Sequence, residues 1–247
     1  MKKIIENLIL LLGACIGIGT LVGKFEKKKG WVEGHIPFGV YEKHIKRPLD
    51  FGLSLFALIV LWPMLLLVAI AVRVKLGSPV IFTQDRSGIG GKKFKIMKFR
   101  TMTDAVDAEG NLLPDEDRLT SFGKFIRSTS CDELVSLINI VLGDMSIIGP
   151  RALPVRYIPY YTEEEIHRHD VRPGLSGLAQ VNGRNYVSWE DKFKMDQEYV
   201  SHITFLDDVK LVLKTVGVVF KHENIETGSF IEKDGVIYRP LDVERGE

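Results

Sequence analysis

Residues 51–72 carry no charged side chain, and this run constrains the chain more than any other feature. At ~1.5 Å rise per residue, a single helix of that length reaches about 33 Å, enough for the hydrocarbon core of a bilayer. Pro63 interrupts it. A mid-helix proline removes one backbone hydrogen bond and clashes with the carbonyl four residues back, so Trp62-Pro63 is read as a kink or a reversal. Charge placement favours reversal. Lys46 and Arg47 precede the run, Arg73 and Lys75 follow it, and the stretch 24–47 is rich in lysine, including Lys27, Lys28 and Lys29. The positive-inside tendency therefore puts both flanks on the cytoplasmic side. A kinked transmembrane helix with the remainder outside is the alternative.

A second uncharged stretch, 7–23, follows Lys2 and Lys3. It is short but long enough to span. With no small-x-small cleavage site evident, a retained anchor is preferred to a cleaved signal peptide. Lys plus Arg number 33 against 32 Asp plus Glu; such a balance offers no basic surface for nucleic acid, and none is expected as a partner. Cys15 and Cys131 stand far apart and support neither a disulfide framework nor a zinc site.

Beyond the long run, Val80-Ile-Phe-Thr-Gln84 reads as a strand, Gly88-Ile-Gly-Gly91 as a turn, and 93–102 as an extended partner, which predicts a β-hairpin. The glycines do not read as a phosphate loop, because such a loop opens a helix and this one feeds an extended segment. Residues 104–118 are acidic and polar, with Gly110, Asn111 and Pro114, and are expected as an exposed loop. An amphipathic helix is predicted to open near 128–134, its apolar positions Leu134, Leu137, Ile138 and Val141 at helical spacing and Gly143 as its stop.

That helix start has two readings. Ser130 and Glu133 have capping-box spacing, and Asp132 suits the first turn. Alternatively, Asp132 and Glu133 divide chemical labour as nucleophile or base and as metal ligand. Lys98, Arg100, Arg127 and Arg151 accompany the pair, and cations around paired carboxylates suit transfer of a phosphate ester between polyanions.

In combination, several motifs resemble the bacterial sugar transferase family, the small monotopic phosphoglycosyl transferases, over about 46–221. They are Lys46-Arg-Pro-Leu-Asp50, Lys98-Phe-Arg-Thr-Met102, Ser130-Cys-Asp-Glu-Leu134, Gly143-Asp-Met-Ser146, Gly149-Pro-Arg151 and the stretch Arg172-Pro-Gly-Leu-Ser-Gly-Leu-Ala-Gln-Val-Asn-Gly-Arg184. The resemblance implies an α+β, mostly helical fold: a re-entrant membrane helix hinged near Pro63, and a cytoplasmic catalytic domain with a small hairpin and amphipathic interfacial helices. The expected divisions are an anchor and basic linker (1–45), the re-entrant helix (46–75), the transferase domain (76–222) and a polar, loosely held tail (223–247).

It also implies the chemistry. Asp132 would attack the β-phosphate of a UDP-sugar, UMP would leave, and undecaprenyl phosphate would take the phosphosugar from the aspartyl intermediate. Glu133 would bind Mg²⁺. Lys98, Arg127, Arg151, Arg172, Gln180, Asn182 and Arg184 are the candidate substrate contacts. The expected location is the bacterial inner membrane, cytoplasmic face, with membrane lipid and downstream glycosyltransferases as further partners. Cys131, Ala152 and Trp62 depart from the usual residues of the family, and none of them removes a reacting group.

Three rivals stand beside this reading: a glycosyltransferase releasing UDP, a non-enzymatic membrane scaffold binding anionic lipid, and Cys131 as nucleophile, which has no base adjacent in sequence. His167 and His169 are read as structural or surface residues. In the C-terminal third, Val209, Val212, Leu213, Val216, Val219 and Phe220 form an apolar stripe. Core packing is expected for it, with an interfacial helix as the alternative.

Overall fold

The computed structural model describes residues 35–182, 187–220, 231–233, 236–238 and 240–246; the apolar stretch 7–23 lies outside them. The uncharged run forms the middle of one helix, α1 (Lys46–Leu76), with Pro63 inside it. Among the described residues this is the one helix long and apolar enough to cross a membrane. One side of it packs inward. Ala57, Leu58 and Leu61 meet a core of Ile96, Leu137, Ile140 and Met145, while Leu65, Val68 and Ala69 join Val72, Phe99 and Val135. Leu53, Phe56, Ile59, Val60, Trp62, Leu66, Leu67, Ile70 and Val74 are exposed.

The Lys46-Arg-Pro-Leu-Asp50 motif anchors the start of α1. Lys46 Nζ lies 2.6 Å from Asp208 Oδ2, which also accepts from Tyr41 at 2.7 Å. Asp50 accepts from Ser146 Oγ at 2.5 Å and from the Ile147 amide at 3.2 Å. Arg47 donates to the carbonyls of Ile140 (2.6 Å) and Val141 (3.2 Å). These belong to the last turn of a short helix, where carbonyls lack intrahelical partners and a cation is favoured.

The expected hairpin is present. Strands β1 (Ile81–Ser87) and β2 (Lys93–Phe99) pair antiparallel from Ile81↔Phe99 to Ser87↔Lys93. Gly90 and Gly91 in the connection have φ of 61° and 68°, which explains the glycines without a phosphate. Two buried side chains cover the outer edge of β2. Asn139 accepts from the Met97 amide at 3.0 Å and donates to Lys95 O at 2.8 Å, and Ser136 Oγ donates to Met97 O at 2.6 Å.

Helix α2 (Ser121–Ser128) is capped by Thr120, whose hydroxyl accepts from the Gly123 amide. A 3₁₀ turn (Cys131–Ser136) then leads into α3 (Leu137–Leu142), which ends at Gly143 in the left-handed region, φ 96°. The stop at Gly143 agrees with the sequence pattern; the capping box does not. Ser130 has φ 55° and its side chain makes no cap, because Glu133 is drawn to cations elsewhere.

Strand β3 (Ser146–Ile148) pairs parallel with β4 (Gly174–Ser176). The glycines of Gly149-Pro-Arg151 and the 172–184 stretch let these backbones cross closely. A Cβ on Gly174 would stand 2.1 Å from the Gly149 nitrogen, and one on Gly177 would stand 2.1 Å from the Gly149 oxygen. Helices α4 (Trp189–Ser201) and α5 (Phe205–Phe220) follow.

The structure corrects two expectations in this region. Leu211 and Asp208 are the buried positions of α5, while Val209, Val212, Leu213 and Val216 are exposed, so the stripe is not core. The end of the chain is not loosely held throughout: Leu241 is fully buried against Leu153, Tyr157 and Phe193. Arg245 also forks onto Glu165 at 2.6 and 2.9 Å.

Candidate active site

The left-handed turn at Ser130 opens the 3₁₀ segment so that Asp132 and Glu133 reach one cleft of about 840 Å³. The hairpin brings the cations. Because Ser136 and Asn139 lock the segment to β2, Lys98 of that strand meets Glu133, with Nζ 2.5 Å from Oε1. Arg151, just beyond β3, reaches the same oxygen at 3.3 Å. Arg127, on the last turn of α2, donates its Nε to Thr101 Oγ1 at 2.9 Å.

The two carboxylates sit in opposite electrostatic settings. Burial pushes the Asp132 carboxyl up to about 6, and the neighbouring Glu133 charge adds to the rise, against Lys98 and Arg127. Burial also acts to raise Glu133, but Lys98 and Arg151 outweigh it and hold that group down to about 2. Glu133 is therefore a fixed anion. Asp132 is a carboxylate that no ion pair or side-chain hydrogen bond engages among the described residues, and it is mostly ionised at neutral pH.

Of the candidate contacts, Lys98, Arg127, Arg151 and Gln180 line the cleft with the pair. Gln180 donates to Leu175 O at 3.2 Å, and its Oε1 is buried without a partner among the described residues. Arg172 does not line the cleft; its Nε donates to Gly143 O at 2.9 Å, bracing the turn after α3. Asn182 is exposed beyond the short helix Leu178–Val181 and also lies off the cleft. Arg184 lies outside the described residues. His167 is exposed beside Asp170. His169 is buried against Ser87 Oγ at 3.0 Å, and desolvation lowers it to about 4, which leaves it neutral.

Sequence reasoning missed Arg86, Arg168 and Lys192, all of which line the cleft. Arg168 is buried with Asp196, its Nε and NH2 3.0 and 2.8 Å from Oδ2, and it also donates to Arg151 O at 2.8 Å. It thus steadies the backbone that carries Arg151. Its neighbours His167 and His169 drew attention to this segment, but no local pattern marks Arg168. Eight cationic side chains line the cleft against five acidic ones, a surplus suited to polyanions. The wall contributed by α5 is apolar, with Val212, Val216 and Val219.

A cleft with this surplus of cations, on a chain with one helix long and apolar enough to cross a membrane among the described residues, fits an enzyme that handles polyanions at a membrane. The sequence model of the bacterial sugar transferase family matches residues 41–222. An uncharacterized sugar transferase, EpsL, of Bacillus subtilis is 48% identical over 182 residues, covering 74% of this chain and 90% of that protein. A UDP-glucose:undecaprenyl-phosphate glucose-1-phosphate transferase of Caulobacter vibrioides is 34% identical, covering 72% and 71%. A UDP-galactose-lipid carrier transferase of Erwinia amylovora is 35% identical over 73% of this chain but only 41% of its own length. The chain belongs to the bacterial sugar transferase family.

Proposed function

We propose that the protein transfers a sugar 1-phosphate from a UDP-sugar to undecaprenyl phosphate and releases UMP. The observation that carries this reading is the split pair: an Asp132 carboxylate in no ion pair among the described residues, lining the cleft beside a Glu133 fixed as an anion by Lys98 and Arg151. The relatives named for UDP-glucose and for undecaprenyl phosphate support the substrate classes.

In this mechanism an Asp132 oxygen attacks the β-phosphorus, the bond from that phosphorus to the bridging oxygen breaks, and UMP carries the electron pair away. The phosphate of the lipid then attacks the same phosphorus, and the Asp132 carboxylate is released. Lys98, Arg127 and Arg151 hold the phosphate oxygens and offset their charge. Glu133 is the residue that would hold Mg²⁺. Its Oε1 takes both cations, while Oε2 has no partner among the described residues. One carboxylate oxygen with substrate phosphates and water is a donor set that Mg²⁺ accepts. No group of three or more His, Cys, Asp or Glu able to hold a metal stands together among the described residues, so the ion would depend on substrate oxygens. Mg²⁺ there would neutralise diphosphate charge.

The same reading makes α1 re-entrant and places the transferase domain on the cytoplasmic face of the inner membrane. Both ends of α1 are held on one body: Asp50 by Ser146 and Ile147 at the start, Val72 against Phe99 and Val135 near the finish. Ends on opposite faces of a ~30 Å hydrocarbon core would not share one folded domain, which supports both flanks of α1 on one side of the membrane, although the helix itself runs through Pro63 without a break. The division into anchor (1–45), membrane helix (46–75), transferase domain (76–222) and tail (223–247) follows, with the tail's last turn docked back on the domain.

The test is UMP release by purified protein with Mg²⁺, undecaprenyl phosphate and a panel of UDP-sugars, beside Asp132→Asn. UMP that requires lipid, metal and Asp132 is expected. Release of UDP instead would point to the glycosyltransferase reading.

A further inference from the structure

Among the described residues, Arg86 is a cation of the cleft that forms no salt bridge. Lys98, Arg118, Arg151 and Arg168 each pair with a carboxylate. Arg86 instead donates NH1 to Ala152 O at 3.0 Å and NH2 to the Gln84 amide oxygen at 2.6 Å, and its Nε is buried with no partner among the described residues. It stands with Lys98, Glu133 and Arg151 around one corner of the cleft. Three cations there share one carboxylate.

A desolvated guanidinium beside another guanidinium is costly unless an anion joins it. Burial, followed by the charge of Arg151, lowers the Arg86 guanidinium to about 10, so it is still charged at neutral pH. The backbone holds it firmly: Arg86 sits opposite Phe94 in the hairpin and bridges to Pro154. A rigid fork whose NH1 and NH2 each keep a second N–H, next to a second arginine, suits the oxygens of a phosphate ester.

We infer that Arg86 and Arg151 form a binding site for a phosphomonoester dianion at this corner of the cleft. The inference rests on the reading of the cleft as a phosphate-transfer site. Two sources have this chemistry, the UMP that departs from the sugar nucleotide and the phosphate head of the acceptor lipid.

The test is binding without turnover, on the full chain in lipid nanodiscs. UMP and a short-chain polyprenyl phosphate are titrated separately against the wild type, Arg86→Gln, Arg86→Lys and the control Arg156→Gln, an exposed arginine paired with Asp242. Loss of a charge-assisted bond predicts that Arg86→Gln weakens one ligand about tenfold or more, that Arg86→Lys weakens it less, and that the control binds normally. Weaker UMP binding assigns the corner to the nucleotide, and weaker lipid-phosphate binding assigns it to the acceptor. Should Arg86→Gln fail to fold for want of its bond to Ala152, Arg86→Lys alone must still show the loss. Unchanged affinities for both ligands in a folded variant overturn the inference, as does a wild type that binds neither. Normal UMP binding by a wild type that releases no UMP from any UDP-sugar would sink the proposed reaction and leave this site standing.

Discussion

Replacing Asp132 by asparagine should abolish activity and stabilise the fold, and the gain should depend on pH. The Asp132 carboxyl rises from 3.8 to about 6 on folding because it is buried beside Glu133. The folded protein therefore holds this proton more tightly than the unfolded chain does. Stability is greatest where both states are protonated, below about pH 4, and falls as pH rises through the window to about 6. A rise from 3.8 to about 6 corresponds to roughly 3 kcal/mol of stability lost at neutral pH. Asparagine keeps the shape and carries no charge, so the variant should escape that loss. For a chain of this size about 3 kcal/mol is roughly 6–12 °C in Tm. Glu133, held down to about 2, has the opposite sign: its contribution is present above its unfolded value and lost as pH falls below it, in both proteins alike. The assay is thermal unfolding in nanodiscs from pH 4 to 8. A variant no more stable than the wild type at pH 7.5, or a difference that does not widen between pH 4.5 and 7.5, refutes the electrostatic reasoning.

Asn139→Leu should destabilise by about 1–3 kcal/mol, because it strips two bonds from partly buried backbone groups of β2; loss of UMP release should accompany the lower Tm as Lys98 drifts from Glu133. Gly174→Ala should give little folded protein, its Cβ falling 2.1 Å from the Gly149 nitrogen. Gly217→Ala on α5 has open space around it and should be neutral or stabilising by up to about 1 kcal/mol, measured by yield and Tm. With Cys15 and Cys131 replaced by serine, single cysteines at Lys43 and Lys75 should both react with an impermeant thiol reagent from the cytoplasmic side only. Labelling from opposite sides would require a straight span.

The hairpin, the stop at Gly143 and the carboxylate pair were legible because each is a local signal: β-propensity around glycines, a left-handed cap, and adjacent acids at a helix start. Of the two readings of that helix start, the capping box fails because its spacing says nothing about rivals for the glutamate. Lys98, 35 positions away, and Arg151 take Glu133, and Ser130 turns left-handed instead. The stripe on α5 was misread because apolar spacing fixes a face but not what covers it; Asp208, tied to Lys46, Tyr41 and Tyr199, sets which side turns inward. Arg86, Arg168 and the docked Leu241 depend on contacts between distant segments, and their sequence neighbourhoods look like ordinary surface. Arg172 stood in a recognisable motif whose glycines serve backbone crossing.

The most direct test of the mechanism is the intact mass of the protein after incubation with its UDP-sugar and Mg²⁺ in the absence of lipid acceptor. A mass increase of one phosphosugar, mapped to Asp132, absent in Asp132→Asn and discharged by undecaprenyl phosphate, is the predicted result. Lipid-dependent UMP release by a wild type that never carries such an adduct, or an adduct on Cys131, would contradict Asp132 as the nucleophile.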